Sequence, residues 1–258
     1  MQAYRTALVT GASSGIGESL ARHLAARGCD LVVVARRTDR LESLAEELRR
    51  RHGRAVEVLT ADLTDDDQLR PVEERLGDPR RPIELLANNA GFGSAGRFAR
   101  LSIEREDRQV RLNVLALMRL THAALPAMIE RRHGGVLNVS SLAGLLPSPG
   151  NATYAASKAF VTTFSESIHG EVKRDGVHVT ALCAGFTRTE FQGSSGIGEG
   201  GLPEIAWLDR DDVARAGLDA VMAGRAVCVP GTRYKPVPVT ARLMPRGLLR
   251  EIVARVWQ

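Results

Sequence analysis

The stretch Thr10-Gly11-Ala12-Ser13-Ser14-Gly15-Ile16-Gly17 follows the apolar run Ala7-Leu8-Val9 and leads into an amphipathic segment, Ser19–Arg27. A strand running through a glycine-rich turn into a helix is the arrangement that receives a pyrophosphate. Gly11 permits the tight turn, Gly15 lets the backbone approach the phosphates, and Gly17 allows close packing of the helix. The helix start then offers free N–H groups and the positive end of its dipole. A glycine-rich turn alone is weak support for nucleotide binding; its place between a strand and a helix at the head of an alternating chain makes it strong.

That alternation continues almost to the end of the chain. Leu31–Val34, Val56–Leu59, Ile83–Leu86, Val136–Val139, Val177–Leu182 and Ala226–Val229 read as further strands. Between them, Asp39–Arg51, Glu104–Arg132, Thr153–Arg174 and Asp211–Ala223 carry helical periodicity. Nearly continuous apolar strands separated by helices predict an α/β fold: a doubly wound, mostly parallel sheet of about seven strands covered on both faces. No repeat, linker or composition break divides the 258 residues, so the expectation is one domain spanning 1–258.

Composition narrows the function. With 44% hydrophobic and 25% charged residues the chain reads as an ordinary globular protein. Cys29, Cys183 and Cys228 lie far apart with no CxxC, which argues against a disulfide framework and the usual zinc spacings and predicts a cytoplasmic, reducing setting. The scattered histidines form no HxxxH pair, so no metal is expected. No apolar run in the sequence reaches the ~18 residues of a membrane span, and no signal peptide is expected at Met1–Thr10. The basic balance, 35 against 30, comes from arginines without interleaved aromatics, so no nucleic-acid partner is expected.

Tyr154 and Lys158 stand four residues apart on a predicted helix and share one face. A free tyrosine titrates near ~10; a neighbouring ammonium stabilises its phenolate and brings it toward service as a general acid or base. Ser141 lies just past a buried strand, where its hydroxyl meets the carboxyl edge of the sheet, and alternation turns Ser140 to the opposite face. Asn88-Asn89-Ala90-Gly91 ends the fourth strand with amides suited to bridging backbone groups. Asp62-Leu63 follows the third; on its own, Asp62 reads equally well as a helix N-cap.

Taken in order, Thr10–Gly17, Asp62-Leu63, Asn88–Gly91, Asn113, Ser140-Ser141, Tyr154-Ala155-Ala156-Ser157-Lys158 and Gly185–Thr189 resemble the short-chain dehydrogenase/reductase family, in its compact branch of ~250 residues. The resemblance covers roughly residues 4 to 230. It implies that Ser141 binds a substrate carbonyl and Tyr154 exchanges its proton. It further implies that Lys158 also holds the nicotinamide ribose and Asn113 anchors a water relay to it. Gly11, Ser13, Ser14, Gly15, Ile16 and Gly17, with Asp62, Leu63, Asn88, Ala90 and Gly91, are then assigned to the cofactor. So are Gly185, Phe186, Thr187 and Thr189. Where the family usually has Pro-Gly, this chain has Ala184-Gly185, and the loss of the fixed proline φ predicts a looser turn.

The second strand ends Val34-Ala35-Arg36-Arg37. An acidic residue there would bind a ribose 2′-hydroxyl; neutral Ala35 followed by Arg36 instead suits a 2′-phosphate, with Ser14 adding a hydroxyl. Arg37 is either part of that site or a solvated turn residue. The expected cofactor is therefore NADP(H) and the expected activity a carbonyl–hydroxyl interconversion. The alternative is a non-catalytic dinucleotide sensor, against which the Asn113, Ser141, Tyr154 and Lys158 set argues. Phe92, Leu142, Leu145, Leu146, Phe186 and Phe191 predict an apolar or amphipathic small-molecule substrate. Gly193, Gly196, Gly198, Gly200 and Gly201 suggest a mobile substrate loop near 190–206. In a helical tail near 236–258, Leu248, Leu249, Ile252, Val253, Val256 and Trp257 form one stripe. Packing on this domain or in a homodimer or homotetramer is expected of it, in preference to a membrane surface.

Overall fold

The computed structural model describes residues 4–191 and 203–245, together with 247, 250 and 251. The glycines of the proposed substrate loop and the six apolar residues of the tail stripe lie outside the described residues.

Seven parallel strands form one sheet in the order β3-β2-β1-β4-β5-β6-β7. They are β1 Thr6–Thr10, β2 Asp30–Ala35, β3 Val56–Thr60, β4 Leu85–Asn88, β5 Gly134–Ser141, β6 Val177–Ala184 and β7 Val227–Cys228. The helices are α1 Gly15–Ala26, α2 Thr38–His52, α3 Asp66–Gly77, α4 Ile103–Val110, α5 Leu117–Glu130, α6 Ala152–Val172, α7 Arg210–Met222 and α8 Pro236–Leu243. The expected strands are all present; β4 begins two residues later than Ile83, and β7 is only two residues long.

The strands are apolar on both faces because both are covered. Ala7, Val9, Leu31 and Val33 point into one buried cluster with Leu20 and Leu24 of α1, Leu41 and Leu48 of α2 and Leu218 of α7. Leu8, Val32, Val34 and Leu86 point into the other, with Val72 of α3 and Leu120 and Met128 of α5. Period-two alternation on strands whose two faces both meet helices is what makes the runs read as continuous. The sheet order reverses direction between β1 and β4, and a crevice opens there beyond the carboxyl ends.

The long helix expected over 104–132 is continuous but not regular. Between α4 and α5, Arg111–Ala116 forms a π-helical segment containing Asn113; such bulges rotate the following face and recur at functional sites. By length and composition Ile103–Glu130 is also apolar enough to cross a membrane, the one such helix among the described residues. Its Leu117, Leu120, Thr121, Ala124 and Met128 are buried in the domain, as befits a core helix.

Candidate active site

A cleft of about 1140 Å³ runs along the carboxyl ends of β1 to β6. The glycine-rich turn floors one end. Gly11 has φ +65°, and a Cβ there would lie 2.7 Å from Asn89 Nδ2 and 2.9 Å from Ala90 Cα, so the turn tolerates no side chain. A Cβ on Gly17 would strike the Gly11 carbonyl oxygen. Ser14, the N-cap of α1, makes no side-chain capping bond, which leaves the first-turn N–H groups facing the cleft without a side-chain partner. These are the donors a pyrophosphate requires, and the residues present fit a dinucleotide.

Arg36 and Arg37 line this same end with Ser13, Ser14, Asp62 and Leu63. Arg36 is mostly exposed, its Nη1 3.8 Å from Asp62 Oδ2. Burial would raise the Asp62 carboxyl, but hydrogen bonds from the Thr64 N–H and hydroxyl, helped by Arg36 and Arg108, hold it below its usual value. Asp62 is not the helix cap; Asp65 caps α3 by accepting from Asp67 N–H. Arg37 is no solvated turn residue. Its Nε and Nη2 donate to Ser13 Oγ at 3.2 Å, its Nη2 also to the Ser13 carbonyl, and its Nη1 to Glu190 at 2.9 Å.

The structure corrects the sequence reading of Asn88. The Asn88 side chain does not reach the cleft: it is buried, and its Nδ2 donates to Thr121 Oγ1 at 3.1 Å and Asn138 Oδ1 at 2.9 Å. Alternation along β4 turns Asn88 into the core and Asn89 toward the turn. Asn89 lines the cleft and donates to the Thr10 and Gly11 carbonyls. Thr10 Oγ1 in turn accepts from the Asn89 and Ala90 N–H groups at 3.0 Å. Ala90 and Gly91 line the cleft as assigned. Thr10 and Asn89 were visible within the motifs, but only the tertiary contact between β1 and β4 reveals their role.

Ser141, Tyr154 and Lys158 converge in the middle of the cleft. Ser141 caps the turn after β5 by accepting from Ala143 N–H at 3.1 Å. Ser140 faces the other way, donating to the Lys158 carbonyl at 2.9 Å. Lys158 Nζ lies 5.8 Å from the Tyr154 ring centroid and donates to the Val139 carbonyl at 2.8 Å. Burial pushes the Tyr154 phenol up to about 12, against a lowering hydrogen bond with Ser141. Burial likewise lowers the Lys158 ammonium to about 8. So burial, rather than the neighbouring ammonium, sets the Tyr154 proton in this structure, and the phenol is the neutral-pH form.

Asn113 does not line the cleft; it is a buried clamp. Its Nδ2 donates to the Phe92 carbonyl at 2.9 Å and Ser157 Oγ at 3.1 Å, and its Oδ1 accepts from Phe92 N–H. Ser157, which sequence reading passed over, donates to the Tyr154 carbonyl and so ties the clamp to α6. A Cβ on Gly91 would sit 2.9 Å from Asn113 Oδ1 and 3.5 Å from Lys158 Nζ. Gly91 is therefore the space in which Asn113 and Lys158 meet the strand end.

Gly185, Phe186, Thr187 and Thr189 all line the cleft. The turn is not left loose by Ala184. Thr187 pairs with Leu208 in a parallel bridge, Leu208 N–H donates to the Phe186 carbonyl at 2.8 Å, and the Tyr234 ring packs against Gly185. Phe92, Leu142, Leu146, Phe186 and Phe191 form an apolar wall of the cleft; Leu145 does not line it. Phe191 leans on the Tyr154 ring at 5.5 Å between centroids. Tyr234 and Val237 complete this wall, with α8 settled against the Leu142–Leu145 turn. Among the described residues, no group of three His, Cys, Asp or Glu side chains could hold a metal ion.

The chain belongs to the short chain dehydrogenase family, whose sequence profile matches residues 5–199. It is an oxidoreductase of that family with a seven-stranded Rossmann-type sheet. An uncharacterized oxidoreductase of Myxococcus xanthus (strain DK1622) is 34% identical over 257 residues, 98% of each chain. A short-chain dehydrogenase from Sphingobium yanoikuyae, solved in complex with NADPH, superposes with a TM-score of 0.85 at 37% identity, covering 96% of each chain. The bulky-bulky ketone specific alcohol dehydrogenase from Comamonas testosteroni superposes with a TM-score of 0.81 at 34% identity, covering 97% of this chain and 95% of that one.

Proposed function

We propose that this protein is an NADP(H)-dependent oxidoreductase that interconverts a ketone or aldehyde and an alcohol on an apolar or amphipathic substrate. The observation that carries the reading is the convergence of Ser141, Tyr154 and Lys158 in a cleft whose other end is floored by the glycine-rich turn and flanked by Arg36 and Arg37. The NADPH bound by the Sphingobium relative and the bulky ketone specificity of the Comamonas relative support it.

The nicotinamide cofactor supplies the hydride. The protein supplies position, polarisation and a proton. Gly15 and Ile16 would hold the pyrophosphate through backbone N–H groups, with Gly17 letting the helix pack close behind them, and Arg36, Arg37, Ser13 and Ser14 would hold the 2′-phosphate. Asp62, Leu63, Ala90 and Gly91 would border the adenosine, while Gly185, Phe186, Thr187 and Thr189 would border the nicotinamide. Ser141 and Tyr154 donate hydrogen bonds to the substrate carbonyl oxygen, and Tyr154 Oη gives up its proton as the alkoxide forms. Lys158 would hold the ribose and stabilise the developing phenolate, and Asn113 positions Lys158 and Tyr154 through Gly91, Phe92 and Ser157.

The walls Phe92, Leu142, Leu146, Phe186 and Phe191 favour a hydrophobic substituent beside the carbonyl. The test is a panel of aldehydes and ketones followed by loss of NADPH absorbance. Turnover of apolar ketones ahead of anionic sugars and hydroxy acids is expected; the reverse order overturns the substrate reading.

A further inference from the structure

Both arginines flanking the proposed 2′-phosphate site face carboxylates in the structure. Arg36 lies beside Asp62. The partner of Arg37 is Glu190, which follows directly on the Gly185–Thr189 turn and lines the same cleft. Glu190 also accepts from Arg40 Nη1, so its two carboxylate oxygens are divided between Arg37 and Arg40 of α2. Arg37 meanwhile keeps its Nε and Nη2 on Ser13 of the glycine-rich turn. One guanidinium thus links the turn after β1 to the segment after β6 through a side chain with the charge sign of a phosphate.

We propose that Glu190 is the internal competitor of the cofactor 2′-phosphate for Arg37, and so sets how strongly the protein discriminates NADPH from NADH. The inference rests on the NADP(H) reading above. A phosphate dianion carries more charge and three acceptor oxygens, so on arrival it displaces the carboxylate from Arg37 Nη1. Glu190 need not leave the site, because Arg40 still holds its other oxygen. The carboxylate therefore swings from two arginines to one, and the exchange couples occupancy of the adenosine end to the segment bordering the nicotinamide and substrate. NADH, lacking the phosphate, leaves the Arg37–Glu190 pair intact. The Glu190 side chain is half exposed to solvent, so the competition is modest in size.

The experiment is direct titration of NADPH and of NADH into the wild-type protein and into Glu190→Gln, read by quenching of protein fluorescence. Removing the competing charge should tighten NADPH about two- to fivefold, the size expected from an exposed ion pair, and leave NADH unchanged. Glu190 is exposed, so Glu190→Gln is expected to fold; Glu190→Ala should give the same split between the two cofactors. If the wild type prefers NADPH but the variants bind it no tighter, or both cofactors shift together, the role of Glu190 is refuted while the NADP(H) reading stands. If the wild type binds both cofactors equally, the 2′-phosphate reading fails and this inference fails with it.

Discussion

Lys158 approaches the Tyr154 ring to 5.8 Å while its Nζ is committed to the carbonyl of Val139, the residue two before Ser141. The strand that delivers the serine therefore also anchors the lysine, and the helix that carries the lysine also carries the tyrosine. Burial acts on both groups in opposite directions, keeping the phenol protonated up to about 12 and releasing the ammonium proton near 8. The phenol is thus ready to act as an acid at neutral pH, and the lysine is the first of the two to titrate. For carbonyl reduction, kcat/KM with respect to NADPH, which reports groups of the free enzyme, should be level from about pH 6 to 7.5 and fall above about 8. A rate that climbed through that range would contradict the assignment.

The same lysine predicts a stability effect. Its folded-state pKa lies below that of the unfolded chain, so holding the ammonium costs the folded state free energy below about pH 8, and the cost fades as pH rises toward 10.5. Lys158→Met keeps the volume and removes the charge. At pH 7 it should raise stability by up to roughly 3 kcal/mol, with the advantage shrinking as pH approaches 10 while activity is lost throughout. Thermal unfolding of both proteins at pH 7 and pH 10 checks this; a gap that widens with pH would contradict it.

Much of this was legible before the structure. Strand alternation and the glycine turn carried the sheet and its switch point, because both depend on local pattern alone. The Asn88 assignment failed because a one-residue difference in register decides which amide meets the cleft and which the core, and motif matching does not resolve that. Asn113 was singled out from its motif, yet its partners Phe92 and Ser157 come from distant segments that no local pattern connects to it. Arg37 looked interchangeable with a solvated turn residue because its partner, Glu190, is 153 positions away. Tyr234 and Val237 gave no local signal of belonging to the substrate wall.

Cofactor choice follows from the end of β2. Ala35→Asp combined with Arg36→Ala places a carboxylate where a ribose hydroxyl would be bound and removes a guanidinium from the phosphate side. Wild-type protein should favour NADPH over NADH by at least about tenfold in kcat/KM, and the double variant should shrink or invert that ratio, as charge-assisted pairing of a guanidinium with a phosphate implies. Parallel steady-state assays with the two cofactors decide it, and equal efficiency in the wild type would end the NADP(H) assignment.

The central claim is that the Tyr154 hydroxyl delivers the proton. Tyr154→Phe removes one oxygen from a buried ring that still packs against Phe191, so the fold and the cofactor cleft should persist. The measurement is kcat for the best ketone of the panel, taken beside the NADPH dissociation constant of the same preparation. The account predicts a fall in kcat of at least ~10²-fold with NADPH affinity nearly unchanged. A variant that kept wild-type kcat would contradict it.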